Sequence, residues 1–175
     1  QAEDRLKILG VRSAGDGSVY FPALTGRNVN RIFSFLDQFN PDVVHAHEPA
    51  SIGLIAQIWA CMRDVPFVHT AHVLPSRVLD FGAVEVVKIL RGSLSESVAQ
   101  QMLSNFYENC DAVIALNRPG ADNIRRFGYE GRLLVIPNGR ELSTYGACES
   151  ADISLPEKTL TFVGWVSERK NQRYL

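Results

Sequence analysis

At 175 residues, 46% apolar and with a formal net charge of -1, the chain has the make-up of an ordinary globular protein, with material for one good core and a little more. Its balance of 18 basic and 19 acidic residues gives no field that would recruit nucleic acid or another polyanion. Three cysteines (Cys61, Cys110, Cys148) at unrelated spacings form neither a disulfide framework nor a metal knuckle, which favours a reducing, cytoplasmic setting. The longest apolar run, residues 52–62, is interrupted by Gln57 and falls short of the ~18 residues of a membrane span.

In chain order, residues 5–11 (Arg-Leu-Lys-Ile-Leu-Gly-Val) alternate and then turn apolar, which predicts a strand leading into a glycine-rich surface loop over residues 13–18. Gly15-Asp16-Gly17 resembles a phosphate cradle only superficially, because no helix opens directly after it. Thr25 or Asn28 can cap a helix with Val29, Ile32, Phe33, Leu36 and Phe39 on its buried face, which Asn40-Pro41 stops.

The next stretch holds all four histidines: Asn-Pro-Asp-Val-Val-His-Ala-His-Glu-Pro, an apolar helix, then Val-Pro-Phe-Val-His-Thr-Ala-His. Pro41 and Pro66 each open a short apolar run, predicting strands at residues 42–45 and 67–69. Between them, Ile52, Leu54, Ile55, Ile58, Trp59 and Met62 recur at helical spacing over residues 51–62. A strand-helix-strand unit makes the two strands parallel neighbours, with the histidines at their carboxyl ends, the edge where open parallel sheets bind ligands.

Beyond it, residues 73–77 read as a loop marked by Pro75 and residues 78–90 as a moderately helical stretch. Ser93 or Ser95 caps a longer helix through Val98, Met102 and Phe106 to about Asn109. Residues 111–116 form another buried strand, Pro119 opens a helix that Gly128 ends, residues 133–136 form a further strand, and Pro137-Asn138-Gly139 reads as a turn. Strands alternating with helices predict an α/β domain with a doubly wound, mostly parallel sheet. Residues 141–158 read as a linker, residues 159–163 as a new strand ending in Gly164-Trp165, and residues 168–175 as the start of a helix.

Five motifs in one order are similar to the family 4 retaining glycosyltransferases of GT-B fold: Pro-Asp-Val-Val-His-Ala-His, Val-Pro-Phe-Val-His-Thr-Ala-His, Asp-Ala-Val-Ile-Ala-Leu-Asn, Leu-Val-Ile-Pro-Asn-Gly and Leu-Thr-Phe-Val-Gly-Trp-Val-Ser-Glu-Arg-Lys-Asn. The resemblance implies a Rossmann-like N-terminal domain on the acceptor side and a C-terminal domain that holds the donor. Residues 1–142 then make up most of the first domain, 143–158 a linker, and 159–175 the start of the second. The family's opening strand and glycine-rich loop are expected before Gln1, and its paired glutamates after Leu175, so the chain reads as a central fragment that is inert alone and prone to self-association.

By the same resemblance, a hexosyl group passes from a UDP- or GDP-linked donor to a hydroxyl of a glycan, lipid or small molecule. His72 is the active-site histidine, Lys170 the cation on the donor diphosphate, and Asn138 and Gly139 lie at the interdomain junction. The family usually has Gly-Arg where this chain has Gly164-Trp165, and Arg169 is the nearest substitute. No cofactor or metal is called for if helix N-termini and cations neutralise the departing diphosphate.

Each candidate also has a plainer reading. His45 and His47, two apart and so on one face of a strand, are candidate substrate-binding residues, and with His69 and His72 they suggest a metal site, although strand-end histidines commonly just bond loop backbone. Glu48 serves a substrate or the dipole of the helix that follows. Arg118, Arg125, Arg126 and Arg132 form a solvated helix face, or a basic patch for anionic lipid at the inner face of a membrane. Two further classes stand beside the transferase: a non-catalytic flavodoxin-like binding module and, more distantly, a histidine-metal hydrolase.

Overall fold

The computed structural model describes residues 6–15, 20–23, 25–49, 51–73, 75, 96–141 and the single positions 143, 158, 159 and 162. The chain divides into two compact units, Gln1–Asn138 and Gly139–Leu175. Every strand and α-helix of the described residues lies in the first. The helix expected over residues 78–90, the strand at 159–163 and the helix start at 168–175 fall largely or wholly outside the described residues.

The entry to the fold departs from expectation. Residues 6–12 form no strand. Instead β1 (Ser13–Gly15) pairs antiparallel with β2 (Tyr20–Pro22), so the expected glycine-rich loop begins as one arm of a hairpin. The alternation over residues 5–11 misleads because no strand pairs with it among the described residues: Leu6 and Ile8 stay exposed, and the backbone is held by side chains of the next helix. Arg31 donates to the Gly10 carbonyl at 3.0 Å, and Asn28 Nδ2 donates to the carbonyls of Arg12 and Ala23 at 2.9 and 2.8 Å.

That helix, α1 (Gly26–Phe39), takes Thr25 as its N-cap, the hydroxyl accepting from the Asn28 amide, while Asn28 itself is buried by its bonds to the preceding segment. It ends where Asn40 turns left-handed (φ 50°) and returns its amide to the Leu36 carbonyl. Ile32 is the buried residue of its apolar face, and Phe39, at the helix end, is exposed.

Four strands follow, β3 (Val44–Ala46), β4 (Phe67–Ala71), β5 (Ala112–Ala115) and β6 (Leu133–Val135), in the order β3-β4-β5-β6 and parallel throughout. The helices between them are α2 (Ser51–Arg63), α3 (Glu96–Glu108) and α4 (Arg118–Arg126). This is the Rossmann-like α/β arrangement expected of consecutive strand-helix-strand units. β3 starts and ends slightly later than predicted, with Val43 exposed, and β4 runs two residues beyond His69. The turn expected at Pro137-Asn138-Gly139 is absent: the segment after β6 has no regular structure, although the Ile136 amide still bonds the Ala115 carbonyl at 2.9 Å.

Register fixes which side chains face the helices. Val44 pairs with Phe67, Ala46 with His69, and His69 with Val113, and these five share the helix-covered face. There Phe67 meets Phe106 of α3 edge-on at 5.9 Å, while Trp59, Ala60, Tyr107, Ala115 and Ile124 complete the buried cluster. The apolar residues of α2 divide: Ile55 and Trp59 point inward, whereas Ile52, Ile58 and Met62 are exposed. On α3, Leu103 rather than Met102 fills the core.

Polar side chains lock the opposite, amino-terminal edge. Asp111 accepts the Phe67 amide proton at 2.7 Å, and Gln57 donates to the Phe106 carbonyl at 2.8 Å. α4 begins on Asn117, whose side chain accepts from the Gly120 amide at 2.8 Å, has Pro119 in its first turn, and closes at Gly128, whose φ of 107° suits glycine.

Candidate functional site

The carboxyl ends of β3 and β4 bring His45, Thr70, His47 and His72 onto one side of the sheet. Side chains alternate along extended chain, so His45 and His47, one residue past β3, share a face, as do Thr70 and His72, one residue past β4. Contacts confirm the parity: His45 Nε2 lies 2.7 Å from Thr70 Oγ1, and His47 Nδ1 lies 2.9 Å from His72 Nε2. The backbone turns just past β4, where the His72 amide donates to the Thr70 carbonyl at 3.1 Å. Thr70 is buried and the three histidines are exposed, which makes a polar rim with a fixed floor.

His69 does not join them. The expectation grouped all four histidines, but β4 continues to Ala71, and position 69 has the parity of Phe67 and Ala71. Its ring is buried beneath α3, edge-on to Phe106 and Tyr107 at 5.1 and 5.5 Å, with Nδ1 3.2 Å from the Ala46 carbonyl oxygen. Nδ1 must therefore carry the proton. Nε2 is left as a buried acceptor without a hydrogen-bond partner. Burial pushes this imidazole down to about 4 against its bond to Ala46, and the charges of His45, His72 and His47 push the same way.

The rim geometry is that of hydrogen bonding rather than stacking. The His47 and His72 ring centres are 5.1 Å apart, close to the 2.9 Å nitrogen separation plus the two ring radii, so the rings meet edge to edge along the bond. His45 lies 4.5 Å from the His47 ring centre, tilted by 35°. Partial burial, and then the neighbouring His47 and His72, lower the His45 pKa, so its ring is neutral at pH 7. It serves as a neutral donor and acceptor rather than as a cation.

A metal would need the lone pairs to converge on one point, whereas those of His47 and His72 are aimed along a shared proton. Among the described residues no group of three or more His, Cys, Asp or Glu is placed to hold a metal. Glu48 follows directly and is turned to structural use. Its Oε1 accepts the amides of Ile52 and Gly53 at 2.9 and 2.8 Å, capping the first turn of α2. The turn is tight: a Cβ on Gly53 would run into the Glu48 carbonyl oxygen.

Asn138 and Gly139 are exposed beyond β6, at the division between the two units, and are not brought to the histidine rim by any described contact. Lys170, Arg169 and the Gly164-Trp165 pair lie outside the described residues. Of the basic residues on and after α4, Arg125 donates to the Tyr129 carbonyl at 2.7 Å and lies over its ring, which makes it part of the packing. Thr70 is the residue that sequence reasoning passed over. Its signal was available, because it stands two before His72 on the same strand.

No helix of the described residues is long and apolar enough to cross a membrane. Compared with known proteins, residues 2–144 match the family model described as Glycosyltransferase Family 4. None of the curated proteins matches the chain.

Proposed function

Because the chain belongs to Glycosyltransferase Family 4, we propose that it forms the acceptor-side portion of a retaining glycosyltransferase, which moves a hexosyl group from a UDP- or GDP-linked donor to a hydroxyl of a glycan, lipid or small molecule. The observation that carries this reading is the rim of three exposed imidazoles and a buried threonine at the carboxyl edge of a parallel sheet, where ligands of such sheets bind.

Sugar hydroxyls each donate one hydrogen bond and accept others, and neutral imidazoles supply both functions. His72, last in the row, is the group we assign to the reacting sugar; it binds and orients a hydroxyl and makes no covalent bond. His45 and His47 extend that surface. In a retaining transfer on one face the acceptor proton passes to the leaving phosphate, so the rim has to orient rather than accept a proton. Glu48 is assigned to the first turn of α2, whose amides its Oε1 accepts, rather than to the substrate. Lys170 and Arg169 are assigned to the donor diphosphate, where charge-assisted bonds stabilise the departing group. Asn138 and Gly139 are assigned to the junction through which the two units are linked. If the acceptor is a lipid, Arg118, Arg126 and Arg132 are the residues that would meet an anionic membrane surface.

Transfer assays on an active protein that includes this chain, with UDP- and GDP-hexoses offered separately, test the reading. Incorporation of label into an acceptor hydroxyl with the anomeric configuration kept is expected. An inverted product, or tight binding of a ligand with no transfer under any donor, would replace it with a different mechanism or with a flavodoxin-like binding module.

A further inference from the structure

We infer that His47 is a positioning residue for His72, fixing through their in-line bond the direction of the His72 ring and tying its tautomer to that of His47. This rests on the reading of His72 as the sugar-binding group. A lone exposed histidine at a strand end turns about its side-chain torsions and samples both tautomers. His72 is exposed, but its Nε2 is engaged by His47 Nδ1 at 2.9 Å.

His47 is in turn confined. Its ring lies against His45, whose Nε2 is tied to the hydroxyl of the buried Thr70. The row therefore runs from an anchored threonine outward to His72, and each member restricts the next.

The chemistry of the bond limits the tautomers. A neutral imidazole has one N–H and one bare nitrogen. If His47 donates from Nδ1, His72 accepts on Nε2 and must carry its own proton on Nδ1. If His72 donates from Nε2, His47 accepts on Nδ1 and carries its proton on Nε2. In both cases the two rings share one tautomer, and the pair presents one donor and one acceptor outward. Two singly protonated rings of opposite tautomer cannot make this contact, and neither can two imidazolium rings, whose N–H groups would meet head-on. A hydroxyl arriving at His72 thus finds a defined partner atom, Nδ1, held in a fixed direction.

The test is nitrogen NMR on the chain labelled with 15N-histidine, without substrate, at a pH where the rings are neutral. We expect a 15N–15N coupling across the bond between His47 and His72, and matching tautomer ratios in the two rings. In His47→Ala the coupling disappears and the His72 tautomer ratio changes. In His47→Asn, whose amide occupies the Nδ1 position and can donate or accept, the His72 tautomer ratio moves back towards that of wild type. Absence of the coupling in wild type, or a His72 tautomer ratio unchanged in His47→Ala, would overturn the inference. Because no substrate is present, the result is independent of whether His72 proves to act on a sugar, which the activity of His72→Ala decides separately.

Discussion

His69 Nδ1 reaches the carbonyl oxygen of Ala46 at 3.2 Å, so a buried imidazole on β4 holds the last residue of β3 one position before His47. The packed side of the sheet thereby fixes the backbone from which the exposed histidines rise. His69 and His72, three apart on one segment, lie on opposite sides of the sheet, one buried and the other exposed.

Acid should weaken this joint. The folded pKa of His69, about 4, lies below the ordinary 6.5, so between those values the unfolded chain takes up a proton that the folded chain refuses. Its contribution to stability is complete above 6.5 and is lost as pH falls towards 4, a total of about 3 kcal/mol at about 1.4 kcal/mol per pH unit. Urea unfolding of wild type and His69→Asn at pH 7 and pH 5 checks it. The variant keeps a donor near Ala46 but cannot charge in this range, and should lose much less stability between the two conditions. Equal losses would show that other groups govern the acid response.

Much of this was legible from residue pattern. Pro41 and Pro66 before apolar pairs, with helical spacing between them, located β3, α2 and β4 and made the strands parallel. The burial of His69 was less legible: because β4 runs on through Thr70 and Ala71, the ring lies inside the strand on the Phe67 face and not at its carboxyl end. The hairpin of β1 and β2 escaped because three-residue strands are too short to show alternation, and Ser13-Ala14-Gly15 has the composition of a loop. The role of Glu48 was half legible. A carboxylate before a helix favours the dipole, but only the fold shows its oxygen on the Ile52 and Gly53 amides. Lys170 and Arg169 were reached through family motifs alone, since nothing in their spacing distinguishes them from surface cations.

A second prediction concerns Asp37, which joins α1 to α2. Its Oδ1 accepts from the indole N–H of buried Trp59 at 2.9 Å and from Arg63 Nε at 3.1 Å. Asp37→Ala leaves the indole donor unpaired and should cost about 1–3 kcal/mol. Arg63→Ala removes only the exposed ion pair and should cost less than about 1 kcal/mol. Denaturant midpoints of the two variants separate the contributions, and comparable losses would mean that the ion pair, not the indole bond, holds the helices together.

Glu48 should behave as a cap. Glu48→Ala removes an acceptor from two α2 amides and should lower stability by roughly 0.5–2 kcal/mol. Gly53→Ala should be at least as damaging, since its methyl meets the Glu48 carbonyl oxygen, a backbone atom that cannot swing aside. Thermal melts decide this. If Glu48→Ala melts like wild type while acceptor KM rises in an active protein, the carboxylate belongs to the substrate after all.

The last prediction sets His72 against His69. His72 is exposed and, among the described contacts, its side chain bonds only the equally exposed His47, so His72→Ala should shift the melting temperature by less than about 2 °C. Under the proposed role of His72 at the reacting sugar, the loss of its hydrogen-bonding group should nevertheless lower kcat/KM in an active protein by roughly a hundredfold. His69→Ala should do the reverse in emphasis. It empties a buried site between Ala46, Phe106 and Tyr107, a loss of the order of 3 kcal/mol, and should lower the melting temperature by roughly 6–12 °C. Whatever activity His69→Ala loses should follow the folded fraction. Melting curves and initial rates on the two variants, each rate normalised to folded protein, distinguish the roles. A destabilised His72→Ala with unchanged activity per folded molecule would move the functional assignment off the rim and leave His72 as a structural residue.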